Sequence, residues 1–251
     1  MIINEPQFTD LPHLRNLWME AFEDSKEFWF YFIHKAKPLR CCRCVWEGQT
    51  LAAALYWFDC TWEGKKLAYL YGVATAAAFR GRGLCRALME NTHAHLKELG
   101  YDGCILVPGG PELFEMYRKM GYSTCTCVRE FTCTSGEAIS VRPLTAEEYT
   151  LLRRQFLPAG GVLQEGKTID LLESQCKFYA GEHFLALCSA DKQTLIVSEL
   201  LGDANAAPGL LGALGYTQGK FRVPGEEKPF AMYHPLTDDT SAPSYFGLAM
   251  D

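Results

Sequence analysis

Residues 67–90 read LAYLYGVATAAAFRGRGLCRALME, and two periodicities meet inside them. The apolar run 67–73 has the length and content of a buried strand, whereas Leu84, Ala87, Leu88 and Leu96 recur at helical spacing. Small residues and Arg80-Gly81-Arg82-Gly83 lie between the two, so the glycines mark a strand-to-helix junction. The first turn of a helix has backbone N–H groups without intrahelical acceptors, aligned with the positive end of the helix dipole. Gly81 and Gly83 remove side chains that would keep a bulky anion away, and Arg80 and Arg82 add positive charge. A diphosphate suits such a junction better than a neutral ligand does. No Lys-Ser/Thr follows the glycines, as a P-loop requires, and Arg86 stands where a dinucleotide fingerprint has a small residue. Read alone, the four residues also fit a glycine-bearing turn with solvated arginines.

The 251 residues are enough for one large core or two small domains, and the 48% hydrophobic and 13% aromatic content describes a packed chain. The formal net charge of -6 argues against nucleic acid as a partner. The eleven cysteines fall mostly in strand-like text and show no paired CxxC spacing for zinc. No secretory leader is read at the start and no apolar run reaches transmembrane length, so we expect buried thiols, no metal, no membrane and a cytoplasmic location.

Along the chain, Thr9 or Asp10 can cap a helix carrying Leu14, Leu17, Trp18, Ala21 and Phe22, and residues 25–36 form a dense aromatic helix facing either core or a ligand groove. Residues 39–46, 51–61 and 67–73 read as an antiparallel meander. After the helix that begins near Gly83, residues 104–107 form a short buried strand. A helix over 112–120 then ends at Gly121, and 122–134 alternates as one long strand. This order predicts a mixed α/β fold with a central sheet flanked by helices.

Stretch 70–122 resembles the acyl-CoA N-acyltransferase superfamily known as GNAT. That family ends its fourth strand on valine and follows it with Arg or Gln, two residues, Gly, one residue, and Gly or Ala; this chain has Val73, then Arg80-Gly81-Arg82-Gly83-Leu84-Cys85. A second mark, a helix reading Tyr, three residues, Gly, aromatic, is present from Tyr117 to Tyr122. The likeness runs in order across residues 1–134.

The resemblance implies acetyl-CoA, or another short acyl-CoA, as co-substrate. Its pantetheine arm would lie between the strands at 67–73 and 104–107, held by backbone groups of Val73, Ala74 and Thr75. Its pyrophosphate would sit on Arg80, Gly81, Arg82, Gly83, Leu84 and Cys85, the last standing where the family prefers Gly or Ala. Tyr117 would be the general acid that protonates the departing thiolate, and a primary amine on a small molecule or peptide would be the acceptor. Many members carry a base glutamate before the strand-four valine, and residues 67–71 hold no carboxylate. Glu20, Asp24, Glu27, Asp59 and the terminal carboxylate of Asp251 are the substitutes considered. His93 and His95 lack metal spacing and face different sides of the helix, and His34, His183 and His234 receive no role.

The first domain is expected over 1–135. Residues 136–251 echo its opening, with Ile139 and Thr145 before a helix and Leu214-Gly215-Tyr216 matching Met120-Gly121-Tyr122. We therefore expect a second, degenerate GNAT-like domain with no RGxG loop and no coenzyme of its own. Two rivals remain: a protein that binds acyl-CoA without transferring anything, and an enzyme using the junction for another diphosphate.

Overall fold

The computed structural model describes residues 1–22 and 24–250. The chain forms two compact units. The first comprises residues 1–106, 110–123 and 233–241, and the second 107–109, 124–232 and the chain from Ala242 onward.

In the first unit β1 (Ile2–Asn4) precedes α1 (Leu11–Ala21), in which Pro12 occupies the first turn, where its missing N–H costs nothing. Ser25 caps α2 (Lys26–Tyr31) through a 3.0 Å bond from the Phe28 N–H, and a π-helical turn, Phe32–Ala36, continues it. The expected aromatic helix is thus two segments. Phe28, Trp29 and Phe32 are buried while Phe30 and Tyr31 are exposed, so it serves core on one side and solvent on the other. The meander is β2 (Cys42–Glu47), β3 (Thr50–Trp62) and β4 (Lys65–Thr75). A 3-10 turn, Ala77–Phe79, leads to α3 (Leu84–Glu98), then β5 (Gly103–Leu106) and α4 (Pro111–Arg118).

The alternating text at 122–134 is not one strand. It divides into β6 (Ser123–Thr124), in the first sheet, and β7 (Cys127–Thr134), in the second. One of the points at which the chain passes between the compact units is accordingly 123/124, inside this text. Alternation reports a half-buried strand but not which sheet it joins, so the handover leaves no mark in the pattern.

The second unit follows with β8 (Arg142–Leu144), α5 (Ala146–Phe156), β9 (Leu163–Gln164), α6 (Lys167–Leu172), β10 (Lys177–Ala180), β11 (Phe184–Asp191) and β12 (Thr194–Gly202). Another 3-10 turn, Ala204–Ala206, leads to α7 (Ala207–Leu214), β13 (Gln218–Pro224), β14 (Lys228–Pro229) and β15 (Met232–Pro235). Residues 244–249 read as apolar, strand-like text. They form an irregular buried tail, with a single parallel bridge from Tyr245 to Gly161.

The first sheet runs β1-β2-β3-β4-β5-β15-β6 and the second β14-β7-β13-β12-β11-β10-β8. In each, a meander is followed by a 3-10 turn, a helix and a parallel strand: β4 pairs with β5 and β12 with β13 in parallel. The fold is mixed α/β. No helix of the described residues is long and apolar enough to cross a membrane.

Candidate functional site

The site in the first unit begins with a defect in a strand. Ala54 pairs with Ala74 and Tyr56 with Tyr71, so Gly72 and Val73 together oppose Leu55 in a β-bulge. Gly72 has φ +59°, and a Cβ there would lie 2.7 Å from the Trp18 ring. Glycine is required on both counts. Trp18 in turn packs on Phe32, Tyr56 and Tyr71 at 4.7, 5.7 and 5.7 Å between centroids, so α1 and the aromatic turn hold the bulge from one face.

On the other edge of β4 the pairing is short, because β5 ends at Leu106. Parallel pairing with β5 covers Leu67↔Gly103, Ala68↔Cys104 and Tyr69↔Ile105 and then stops, while β4 continues to Thr75 paired only with β3. Between Leu70 and Thr75 the strand therefore has no β5 partner on that edge. Val73, Ala74 and Thr75 lie on this stretch.

Beyond the end of β4, Gly81 and Gly83 take φ +74° and +78°, and a Cβ at either would meet nothing within 4 Å. Gly83 is the N-cap of α3, and the Ala87 N–H donates to its carbonyl at 3.0 Å. The N–H groups of Leu84, Cys85 and Arg86 consequently have no i−4 carbonyl inside the helix. The arginines are less free than the sequence suggests. Arg80 Nε donates to the Thr75 carbonyl at 3.0 Å, and Arg82 donates to the Ala78 carbonyl at 2.9 Å with its guanidinium 5.1 Å from the Phe79 ring. Both side chains brace the turn as well as charging it.

Tyr117, on the last turn of α4, is buried. Burial pushes its phenol above the usual range, and the nearby Cys85 thiol adds to the effect, so the side chain is a neutral donor. Cys85 is itself raised by burial, with Arg86 opposing. A protonated thiol there is a poor nucleophile. The fold thus brings Cys85, in the first turn of α3, near Tyr117.

The carboxylates are mostly committed elsewhere. Glu20 accepts from the Ala77 N–H at 2.6 Å, closing the turn after β4. Asp59 accepts from the Tyr101 hydroxyl. Asp24 accepts from Trp18 Nε1 at 2.9 Å and is raised by burial, which outweighs that bond. Glu27, at the start of α2, is lowered by its own backbone N–H and by Ser25. Asp251 lies outside the described residues. Among the described residues no group of three or more His, Cys, Asp or Glu side chains could hold a metal, and all eleven cysteines are free thiols.

Two histidines without an expected role belong to the surroundings of Tyr117. His93 Nε2 lies 2.7 Å from the Tyr122 hydroxyl, and its ring stacks on His234 at 4.3 Å. A signal existed for the first. His93 is four residues after Met89 and three before Leu96, on the buried stripe of α3, where a polar ring needs a partner. His234 carries none, because strand β15 joins this sheet from far along the chain.

Residues 3–125 match the family model described as an acetyltransferase (GNAT) domain. Among solved structures the chain is similar to a GCN5-related N-acetyltransferase from Kribbella flavida (17% identity, 92% of this chain and 70% of that one, TM-score 0.70). It is also similar to a GCN5-related N-acetyltransferase from Anabaena variabilis (14%, 94% and 73%, 0.70) and to Eis1 from Mycobacterium abscessus (11%, 94% and 74%, 0.70). No curated protein sequence matches it. The chain has the mixed α/β fold of the GNAT acetyltransferases.

Proposed function

We propose that the first unit is an N-acyltransferase that moves an acetyl or other short acyl group from CoA to a primary amine on a small molecule or peptide. The observation that carries this reading is the parting of β4 from β5 after Tyr69, with the amide-rich start of α3 and the buried phenol of Tyr117 beside it. The edge of β4 at Val73, Ala74 and Thr75, left unpaired by β5, offers main-chain groups to the pantetheine amides and the thioester carbonyl. The turn from Arg80 through Gly81, Arg82 and Gly83, with the amides of Leu84 and Cys85, offers donors and positive charge to the pyrophosphate.

In the transfer, the amine nitrogen forms a bond to the acyl carbon and the carbon–sulfur bond breaks. Tyr117 gives its proton to the departing sulfur and recovers one as the amine sheds its own. A high phenol pKa suits this duty, since the group must hold its proton until the thiolate forms. The raised Cys85 supports direct transfer without a cysteine-linked intermediate.

The engagement of Glu20 and Asp59 supports a second reading, an acyl-CoA binder that transfers nothing. Tyr117→Phe distinguishes them. We expect turnover of acetyl-CoA with pooled primary amines, read by thiol release and product mass, to fall by about 10²-fold while the dissociation constant for CoA stays within twofold. Wild-type protein that binds acetyl-CoA and acylates no amine favours the binder, and failure to bind CoA at all ends both readings.

We also read the second unit as a degenerate copy of the first. The matching strand order supports this, as does the entry into α7 from Ala204–Ala206 without a glycine pair, which gives no reason for a second coenzyme site. The free thiols support a reducing compartment such as the cytoplasm.

A further inference from the structure

We propose that His93 is a positioning residue for Tyr117, acting through Tyr122. The inference rests on the reading of Tyr117 as the general acid. Five contacts form a closed circuit around the end of α4. The Tyr122 N–H donates to the Tyr117 carbonyl at 3.1 Å, and the Tyr122 ring meets the Tyr117 ring edge-on, with centroids 5.8 Å apart and planes at 63°. The Tyr122 hydroxyl is tied to His93 Nε2 at 2.7 Å. The His93 ring stacks on His234 at 4.3 Å and 16°, and His234 Nδ1–H donates to the Gly121 carbonyl at 2.9 Å, which returns the circuit to the residue before Tyr122.

Tyr122 therefore fixes Tyr117 twice, once through the backbone and once through the ring, and it is 1% exposed. A buried hydroxyl left without a partner would turn its ring or admit water, and either response would move the surface against which Tyr117 packs. On the buried stripe of α3, His93 meets that need at 2.7 Å, with the Cys104 thiol of β5 as a second contact of the hydroxyl, and α3 is also the helix whose first turn holds Leu84 and Cys85. One helix thus sets both the amides at its start and, from its middle, the orientation of the phenol. Burial and the neighbouring His234 lower His93 to about 3, so the imidazole stays neutral and its ring is a hydrogen-bonding post, not a charge. The thiol of Cys104 borders the same hydroxyl and, like Tyr122, is raised by burial, leaving a pocket of neutral groups.

The test places 3-fluorotyrosine at position 117 and compares His93→Leu, His93→Gln and Tyr122→Phe with the parent by fluorine NMR, without substrate, and by steady-state kinetics. We expect one sharp resonance in the parent and in His93→Gln, whose amide can still bond the hydroxyl. In His93→Leu and Tyr122→Phe we expect broadening or two resonances. In enzymes with natural Tyr117, kcat falls about tenfold in His93→Leu, with KM for acetyl-CoA within twofold, and His93→Gln recovers most of the loss. A spectrum in both His93→Leu and Tyr122→Phe identical to the parent overturns the inference, as does an unchanged kcat in folded His93→Leu. If His93→Leu does not fold, Tyr122→Phe, which preserves the ring, decides alone. Should the parent acylate no amine, the general-acid reading fails, while the NMR comparison still reports whether His93 holds the Tyr117 ring.

Discussion

A single imidazole shows how burial converts a common side chain into a fixed one. His93 titrates near 6.5 in an unfolded chain and near 3 in the folded one, because burial and His234 oppose its charge. Between those values the unfolded state binds a proton that the native state does not, so stability is fully present above about 6.5 and is lost as pH falls toward 3. The slope from this one group is at most about 1.4 kcal/mol per pH unit. Urea unfolding of the first unit at pH 6.5, 5.5 and 5.0 should show the decline in the parent and a flatter line in His93→Gln; parallel lines would contradict it. That Tyr117 lies in the last turn of a helix was legible from its motif, because this depends on spacing within one helix. The partnership of His93 was not, since it joins α3 to Tyr122, 29 residues on, and to a strand beyond residue 230. The bracing of the turn by Arg80 and Arg82 was also hidden, because a sequence shows charge but not which carbonyl a guanidinium reaches.

At the scale of elements, two glycines in β4 and before α3 share a positive φ for different reasons, and substitution separates them. Gly83→Ala meets no atom, so its cost is the left-handed backbone alone, about 1 kcal/mol, and CoA affinity should fall as the helix start shifts. Gly72→Ala adds a methyl 2.7 Å from Trp18 and 3.1 Å from Tyr56. The expected loss is about 2–4 kcal/mol, with the bulge disturbed. Thermal unfolding with and without CoA checks both: Gly83→Ala should keep most of its melting temperature and lose CoA stabilisation, and Gly72→Ala should lose the first directly. The meander, α3, β5 and α4 were all legible, with boundaries within a few residues, since each has a periodicity and a glycine or proline stop. The division of 122–134 between sheets was not, and nor was the irregular tail at 244–249, whose apolar text resembles a strand. That tail is held by individual bonds: the Val162 N–H to the Tyr245 carbonyl at 2.8 Å, and the Gln164 side chain to both the N–H and carbonyl of Leu248.

Across the whole molecule, the most demanding polar arrangement lies outside the candidate site. In the second unit Arg153 and Glu199, each 1% exposed, form a two-pronged pair at 2.8 and 2.9 Å, and the Tyr149 and Tyr245 hydroxyls donate to the two carboxylate oxygens at 2.7 and 2.9 Å. Burial alone would raise Glu199, but the charge of Arg153 and the four donated bonds outweigh it and hold the carboxyl below its usual range. Its stabilising effect is present above the unfolded value of about 4.3 and is lost as pH falls through the lower folded value. Removing one partner strands the other, so Arg153→Met should cost about 3–5 kcal/mol. Arg153→Met with Glu199→Leu should recover only part of that, because two tyrosine hydroxyls then lack acceptors; chemical denaturation distinguishes the two outcomes. No sequence pattern announced this network, as its members lie on α5, β12 and the tail.

The route of the chain carries a further consequence. The first sheet takes β15, from residues 232–235, beside β5, and Tyr233 rests so close over Gly103 that a Cβ there would sit 2.3 Å from its hydroxyl oxygen. During synthesis the ribosome delivers β5 long before β15, so that edge must wait bare while more than a hundred residues emerge. A nascent chain halted near residue 135 would be a natural client for chaperones and proteases, and attempts to express the first half by cutting there would leave its sheet without β15.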